Sequence, residues 1–298
     1  MMSEKQPLIL AIGAAGKFAG MVVPELTKRG ANVRGFVRSP DEINAPKAAG
    51  ATKTVVGDLT DGASVRTAMK GVDRVFYIAP AFLPNEADVG KAVVQAATEA
   101  GVRRFVFSSV IHPILSGLAN HFQKAPVEEA LLTSGMEYTF LHPTVFFQNF
   151  TDSWPRIVGT AVVAEPWSPE TRLSRVDYRD VAEAAAIALT EDRLLFGTFE
   201  LCAEGWYSRK DVAAIIGEVL GRPITAETAD PKMAAASAGP GAPALEKMFD
   251  WYDRRGLQGS ALPLRAILGR EPRTLRAFFA ELAAASDAKH AAASGKEA

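Results

Sequence analysis

The sequence predicts an α/β fold, a doubly wound parallel sheet followed by a smaller mixed C-terminal substrate region. Three observations carry this. Short apolar runs alternate with stretches of helical spacing from residue 8 to residue 141. A glycine-rich turn sits directly between the first run and the first helical stretch. After residue 150 the rhythm changes to loops, short strands and alanine-rich helices.

Residues 8–12 are an apolar run that ends at Gly13, which reads as a buried strand. Residues 18–28 have helical spacing, and Gly30 can cap their end. Residues 32–37 and 54–56 are the next strands, and Gly57-Asp58-Leu59 follows the second of them. A helix runs through Met69, then come a strand at 74–79 and a helix at 87–100 ended by Gly101. A strand at 103–107, a helix at 123–133 ended by Gly135 and a strand at 138–141 complete the series. Continuous apolar strands separated by helices imply a parallel sheet covered on both faces, the Rossmann-type arrangement.

Residues 154–169 hold three prolines and two tryptophans and read as extended or loop. An alanine-rich helix at 181–189, which Asp180 can help start, leads to a strand at 196–202. Ser208 caps a helix through Leu220, ended by Gly221 and Pro223. Residues 234–243 are a linker or lid, or a short helix with a turn, the second being favoured. A last amphipathic helix spans 272–284. The expected division is a dinucleotide-binding domain at 1–152 and a smaller substrate-cleft region at 153–286. Within that region about 174–202 packs back on the first sheet, and 287–298 form a disordered tail.

The chain has 298 residues, is 48% hydrophobic and 22% charged, and carries a formal net charge of −1. That balance offers no global basic field for nucleic acid. The single cysteine, Cys202, can form neither an intramolecular disulfide nor a zinc site alone. It reads as buried and inert, and the composition suits a reducing, cytoplasmic setting. No run approaches the ~18 apolar residues of a membrane helix, and residues 1–7 lack the pattern of a signal peptide.

Gly13-Ala14-Ala15-Gly16-Lys17-Phe18-Ala19 is the segment that carries chemistry. Glycines after a first strand let the backbone turn tightly and approach a pyrophosphate, and the helix N-terminus adds N–H donors and a favourable dipole. Ala19 supplies the small residue where helix packs on strand. The position, between first strand and first helix, supports a dinucleotide site over a plain turn. Arg38 stands at the end of the second strand, where an acid would bind a ribose hydroxyl and a base accommodates a 2′-phosphate. No acid precedes it, so the cofactor expected is NADP(H). Asp58 can accept from an adenine amino group while Leu59 packs on the ring; an ordinary turn with a helix cap is the other reading. Ala79-Pro80-Ala81 gives small residues at the sheet edge where the cofactor crosses.

Several further segments resemble the NmrA-like group of atypical short-chain dehydrogenases. They are Arg104-Phe105-Val106-Phe107-Ser108-Ser109-Val110 with His112-Pro113, Lys124 with Val127-Glu128-Glu129-Ala130-Leu131, and Leu141-His142-Pro143-Thr144 with Phe147-Gln148-Asn149. Downstream they are Val176-Asp177-Tyr178-Arg179-Asp180-Val181-Ala182 and Gly269-Arg270-Glu271-Pro272-Arg273-Thr274-Leu275. The resemblance implies NADP(H) along the C-terminal edge of the sheet, with Ser108, Lys124, His142, Pro143 and Thr144 among its contacts. It also implies a C-terminal region that closes over a substrate cleft.

Short-chain dehydrogenases work with Tyr-x-x-x-Lys, and here Asn120 stands in the tyrosine place while Lys124 remains. Lys124 can bind the nicotinamide ribose and place positive charge near the hydride acceptor. Asn120 can donate a hydrogen bond but not a proton. An acceptor whose anion is already stable, a quinone or conjugated carbonyl, needs less acid catalysis. His121 is a possible proton donor, and His112 and His142 would face the crevice at the ends of parallel strands; all three can equally be pocket-lining groups bonded to backbone. No ligand spacing marks a metal site. Phe146, Phe147, Phe150 and Trp154 form an aromatic wall for a flat acceptor, or ordinary core. Trp251 and Tyr252 cap the same cleft or staple the C-terminal helices. The sequence therefore reads as an NADPH-dependent reductase of a small molecule. The alternative is a non-catalytic NADP(H) sensor that binds a protein partner, which Asn120 keeps open. A sugar-nucleotide epimerase is weakened because that chemistry needs the tyrosine. A homodimer is also open.

Overall fold

The computed structural model describes residues 6–80, 83 and 85–294. Ala81 and residues 295–298 of the expected tail lie outside the described residues. The chain runs β1 (Leu8–Ile12), α1 (Ala19–Lys28), β2 (Asn32–Val37), α2 (Asn44–Ala48), β3 (Lys53–Val56), α3 (Gly62–Met69) and β4 (Arg74–Ile78). It continues through α4 (Glu86–Glu99), β5 (Arg104–Ser108), α5 (Ala119–Phe122), α6 (Ala125–Thr133) and β6 (Glu137–Pro143). Then come β7 (Val145–Phe146), α7 (Asn149–Thr160), β8 (Val162–Glu165), β9 (Leu173–Val176), α8 (Tyr178–Thr190) and β10 (Gly197–Leu201). The last are β11 (Trp206–Tyr207), α9 (Arg209–Leu220), β12 (Thr225–Thr228), α10 (Pro231–Ala235), α11 (Ala242–Arg255), α12 (Leu262–Leu268) and α13 (Leu275–Ser294).

Seven strands form one sheet in the order β3-β2-β1-β4-β5-β6-β10, every pair parallel. Strand order reverses between β1 and β4, and a crevice opens at the carboxyl ends there. Side chains alternate between two cores because a strand has period two. Ile9 and Ala11 join one core with Val22, Val23 and the buried alanines of α8. Leu10 and Ile12 join the other with residues of α3, α4 and α6. Gly90 lets α4 approach α6: a Cβ there would stand 2.4 Å from Val127.

Helix α8 starts at the cap Asp177, whose carboxylate accepts from the Arg179 N–H. The expected cap, Asp180, is instead fully buried and bonded to Arg270 at 2.8 Å and to the Arg273 N–H at 2.6 Å. The two downstream family segments thus clasp one another. Helix α7 takes in residues 154–160 of the stretch 154–169 that was expected to be extended or loop, with Pro155 inside it. Its buried stripe of Phe150, Trp154 and Ile157 follows helical spacing. Burying three such side chains, each worth ~1.5–3 kcal/mol, outweighs the ~3 kcal/mol of an interior proline. Helix α13 continues to Ser294, past the expected end at Ala284 and through part of the expected tail, because its alanine-rich sequence favours helix.

Smaller sheets, β11-β9-β7 and β12-β8, support the C-terminal region. One core there joins α7, α9 and α13; another gathers Trp167, Phe249, Tyr252 and Leu257 under α10 and α11. Among the described residues no helix is long and apolar enough to cross a membrane.

Candidate active site

The turn after β1 holds its shape through backbone contacts. Gly13, at φ +76°, occupies the left-handed region that favours glycine. The Gly13 and Ala14 N–H groups donate to the Phe36 carbonyl at 3.0 and 3.1 Å, and the Gly16 N–H donates to the Gly13 carbonyl at 2.8 Å. The N–H groups of Ala15, Lys17, Phe18 and Ala19 find no acceptor among the described residues. Helix α1 has no side-chain cap and no acid in its first turn. The result is a row of open donors at a helix N-terminus, the arrangement that suits a pyrophosphate.

These groups face a cleft of about 430 Å3, also lined by Arg38, Glu42, Asp58, Leu59, Ala79 and Pro80. The Arg38 side chain is 87% exposed and free to swing onto a ribose phosphate. Glu42, which sequence reading missed, accepts from the Arg38 backbone N–H at 2.9 Å and stands 3.9 Å from its guanidinium. An acid therefore shares the rim with the base. Asp58 accepts from the Thr60 N–H and hydroxyl, both at 2.8 Å, and these bonds hold its carboxyl below the usual range. Lys17 reaches across to Asp152 on α7 at 2.7 Å. The residues present fit a dinucleotide with an extra phosphate.

A second cavity, about 910 Å3, opens beside the first and shares Phe18, Ile78 and Ala79 with it. Phe146, Phe150, Trp167, Phe249 and Tyr252 give it aromatic walls. Asn120, His121, Lys124, Ser109, Pro143 and Thr144 line it too. Lys124 forms an ion pair with Glu86 at the start of α4; their side chains are 12% and 2% exposed. The Asn120 amide donates to the Met248 sulfur at 3.2 Å, and its Oδ1 is buried without a partner. Thr144 turns its hydroxyl away to the Ser174 carbonyl at 2.9 Å.

Six of the expected site residues stand differently in the structure. His121 is fully buried and its Nδ1 donates to the Ile111 carbonyl at 2.7 Å. Burial pushes its pKa down to about 4, so at neutral pH it has no exchangeable second proton to give. Its Nε2 stands 3.4 Å from the Tyr252 hydroxyl, whose own acidity burial weakens. Ser108 is buried and lines neither cavity; Ser109 does, donating to Glu128. Neighbouring strand residues point to opposite faces, and two serines in a row hide which one faces the crevice. His142 bonds the same Glu128 oxygen at 2.8 Å and lines neither cavity. His112, at φ +53°, meets the Gln258 carbonyl at 2.9 Å, also away from the cavity. Phe147 and Trp154 belong to the C-terminal core, with Trp154 stacked on Phe279 at 5.7 Å. Cys202 is fully buried, and burial pushes its thiol up to about 12.

Among the residues that sequence reading missed at the cavity are Glu86, Ser109, Arg156, Trp167 and Phe249. Glu86 looks in sequence like an ordinary acid in a first helical turn, and only the fold brings it to Lys124.

The profile of the NmrA-like family matches residues 5–280. The chain belongs to the NmrA-like family. It is 30% identical to an NAD(P)H azoreductase of Xenophilus azovorans across 97% of this chain and 99% of that protein. It is likewise 30% identical to the (4-alkanoyl-5-oxo-2,5-dihydrofuran-3-yl)methyl phosphate reductase of Streptomyces griseus subsp. griseus, across 93% and 99%. In fold it resembles an NADPH-dependent quinone oxidoreductase of Escherichia coli solved with NADPH. The TM-score is 0.81, with 23% identity over 92% of this chain and 99% of that one.

Proposed function

We propose that this member of the family is an NADPH-dependent reductase of flat conjugated acceptors, such as quinones or conjugated carbonyls. One observation carries the reading: the cleft with open backbone donors and the aromatic cavity meet at Phe18, Ile78 and Ala79. A nicotinamide at that junction would face an acceptor lying among the aromatic rings. The two relatives named above, an NAD(P)H azoreductase and a (4-alkanoyl-5-oxo-2,5-dihydrofuran-3-yl)methyl phosphate reductase, are both reductases, which supports the reading.

When bound, NADPH supplies a hydride from C4 of its nicotinamide, which together with one proton converts a quinone to a hydroquinone and leaves NADP+. The loop from Gly13 to Ala19 holds the pyrophosphate through its N–H groups. Arg38 receives the 2′-phosphate, and Glu42 opposes it, so the preference for NADPH over NADH is a balance between the two. Lys124 binds the nicotinamide ribose and lends positive charge to the acceptor as it gains negative charge. Asn120 donates a hydrogen bond there. The hydroquinone anion is stable enough to take its proton from water.

NADPH consumption against a panel of quinones, enals and ketones tests this. Turnover of quinones or enals supports it. No turnover with any acceptor, alongside intact NADPH binding, favours the sensor.

A further inference from the structure

The charges lining the acceptor cavity pair off, with one exception. Lys124 is bound to Glu86, and Asp152 to Lys17. Glu165 accepts two bonds from the Arg175 guanidinium at 2.7 and 2.8 Å. His121 is neutral. Arg156, on the exposed side of α7, lines the cavity with no side-chain partner among the described residues.

Behind the same wall lies a second imbalance. Arg175 and Arg209, with side chains 1% and 0% exposed, share the single carboxylate of Glu165, which stands 3.7 Å from Arg209. Asp253 acts on Arg209 only at longer range. Nε and Nη1 of Arg175 and Nε of Arg209 are buried without hydrogen-bond partners. Arg175 lies over the Phe150 ring, 4.9 Å from its centre, so this charge sits just behind the aromatic lining. Low-dielectric walls focus such a field into the cavity.

Resting on the reductase reading above, we propose that the acceptor bears an anionic substituent and that Arg156 receives it. The substrate class is a flat conjugated carbonyl or quinone with a carboxylate, sulfonate or phosphate directed at the α7 wall. A guanidinium matches each of these groups with paired N–H donors. The aromatic rings take the conjugated body, and Lys124 serves the reducible end.

The test uses the full chain and two acceptors, neutral menadione and anionic naphthoquinone sulfonate, with saturating NADPH. The ratio of kcat/KM for the sulfonate over that for menadione should fall about tenfold or more in Arg156→Gln, the size of one charge-assisted bond. Arg156→Lys should recover part of it. The comparison of ratios cancels the different intrinsic reactivities of the two quinones. Equal loss on both acceptors overturns the inference. So does weakened NADPH binding with an unchanged ratio, which would make Arg156 a cofactor contact. If the unaltered chain turns over neither quinone, the reductase reading itself has failed. Titration of naphthoquinone sulfonate into the NADP+-loaded protein then decides the inference separately: binding that Arg156→Gln weakens tenfold keeps the anion site, and binding it does not change removes it.

Discussion

The cofactor cleft and the acceptor cavity touch at three residues yet are built on different physics. The cleft is made of backbone: a left-handed glycine, unpaired N–H groups and a bare helix end, all within residues 13–19. The cavity is made of side chains from α4, α5, α7 and α11, which only the fold brings together. A backbone site is robust to most side-chain changes and sensitive to backbone ones. A side-chain site behaves in the opposite way, and its charges are coupled in pairs.

The largest effect is expected at the Lys124–Glu86 pair. Lys124→Met should lower kcat about a hundredfold, as removal of a charge at the reacting group does. It should also cost about 3–5 kcal/mol of stability by leaving Glu86 buried and unpaired. The double variant Lys124→Met, Glu86→Gln should regain stability in thermal unfolding but not turnover. Recovery of both would make the pair structural only. In the cleft, Gly13→Val forces a branched residue into the left-handed region. NADPH binding, measured by titration, should weaken by about a hundredfold, equivalent to two steps of 1.4 kcal/mol. Turnover with saturating NADPH should change less, because the cavity is separate.

Smaller effects sharpen the rim of the cleft. Arg38→Gln should weaken NADPH about tenfold with little change for NADH, as loss of an exposed phosphate contact does. Glu42→Gln should shift preference the other way, by about twofold to threefold, since a carboxylate facing a phosphate repels it. Equal changes for both cofactors would remove these residues from the phosphate subsite.

The smallest expected effect concerns His121, which separates burial from catalysis. Its folded pKa of about 4 lies below the ordinary value of 6.5. Between those values the unfolded chain binds the proton that the folded chain refuses. Stability from this group is therefore complete above pH 6.5 and is lost as pH falls towards 4. His121→Asn should flatten the decline of the melting temperature across that window. It should leave the pH profile of turnover near neutrality with the same shape, because the imidazole is already neutral there. A lost limb in that profile would restore His121 as an acid.

The same contrast explains what the sequence made legible. The strands and the glycine turn follow local rules of period and backbone conformation, so β1 to β4 read almost directly, whereas the helical turns at 40–48 were not foreseen. Arg38 lines the cleft at the end of β2, and Glu42 carried no sequence signal, since a short helical turn rather than the strand brings it back. At the cavity, Lys124, Asn120, Phe146 and Phe150 were visible, whereas Phe147 and Trp154 face the core. Composition shows that a stretch is aromatic, not which ring faces which side. Glu86 and Arg156 carry no local signal: one looks like a helix-start acid, the other like a surface arginine. The loop expected around Pro155 failed because prolines were weighed above a helical stripe whose reward comes from tertiary packing.

The most direct test of the junction between the two sites is transfer from NADPH deuterated on one face of its C4. With menadione as acceptor, the account predicts oxidation in which one deuterated isomer yields NADP+ that keeps all its deuterium and the other yields NADP+ that has lost it, because the aromatic cavity meets only one face of the nicotinamide. Loss from both faces, or no oxidation above buffer while NADPH remains bound, would contradict it.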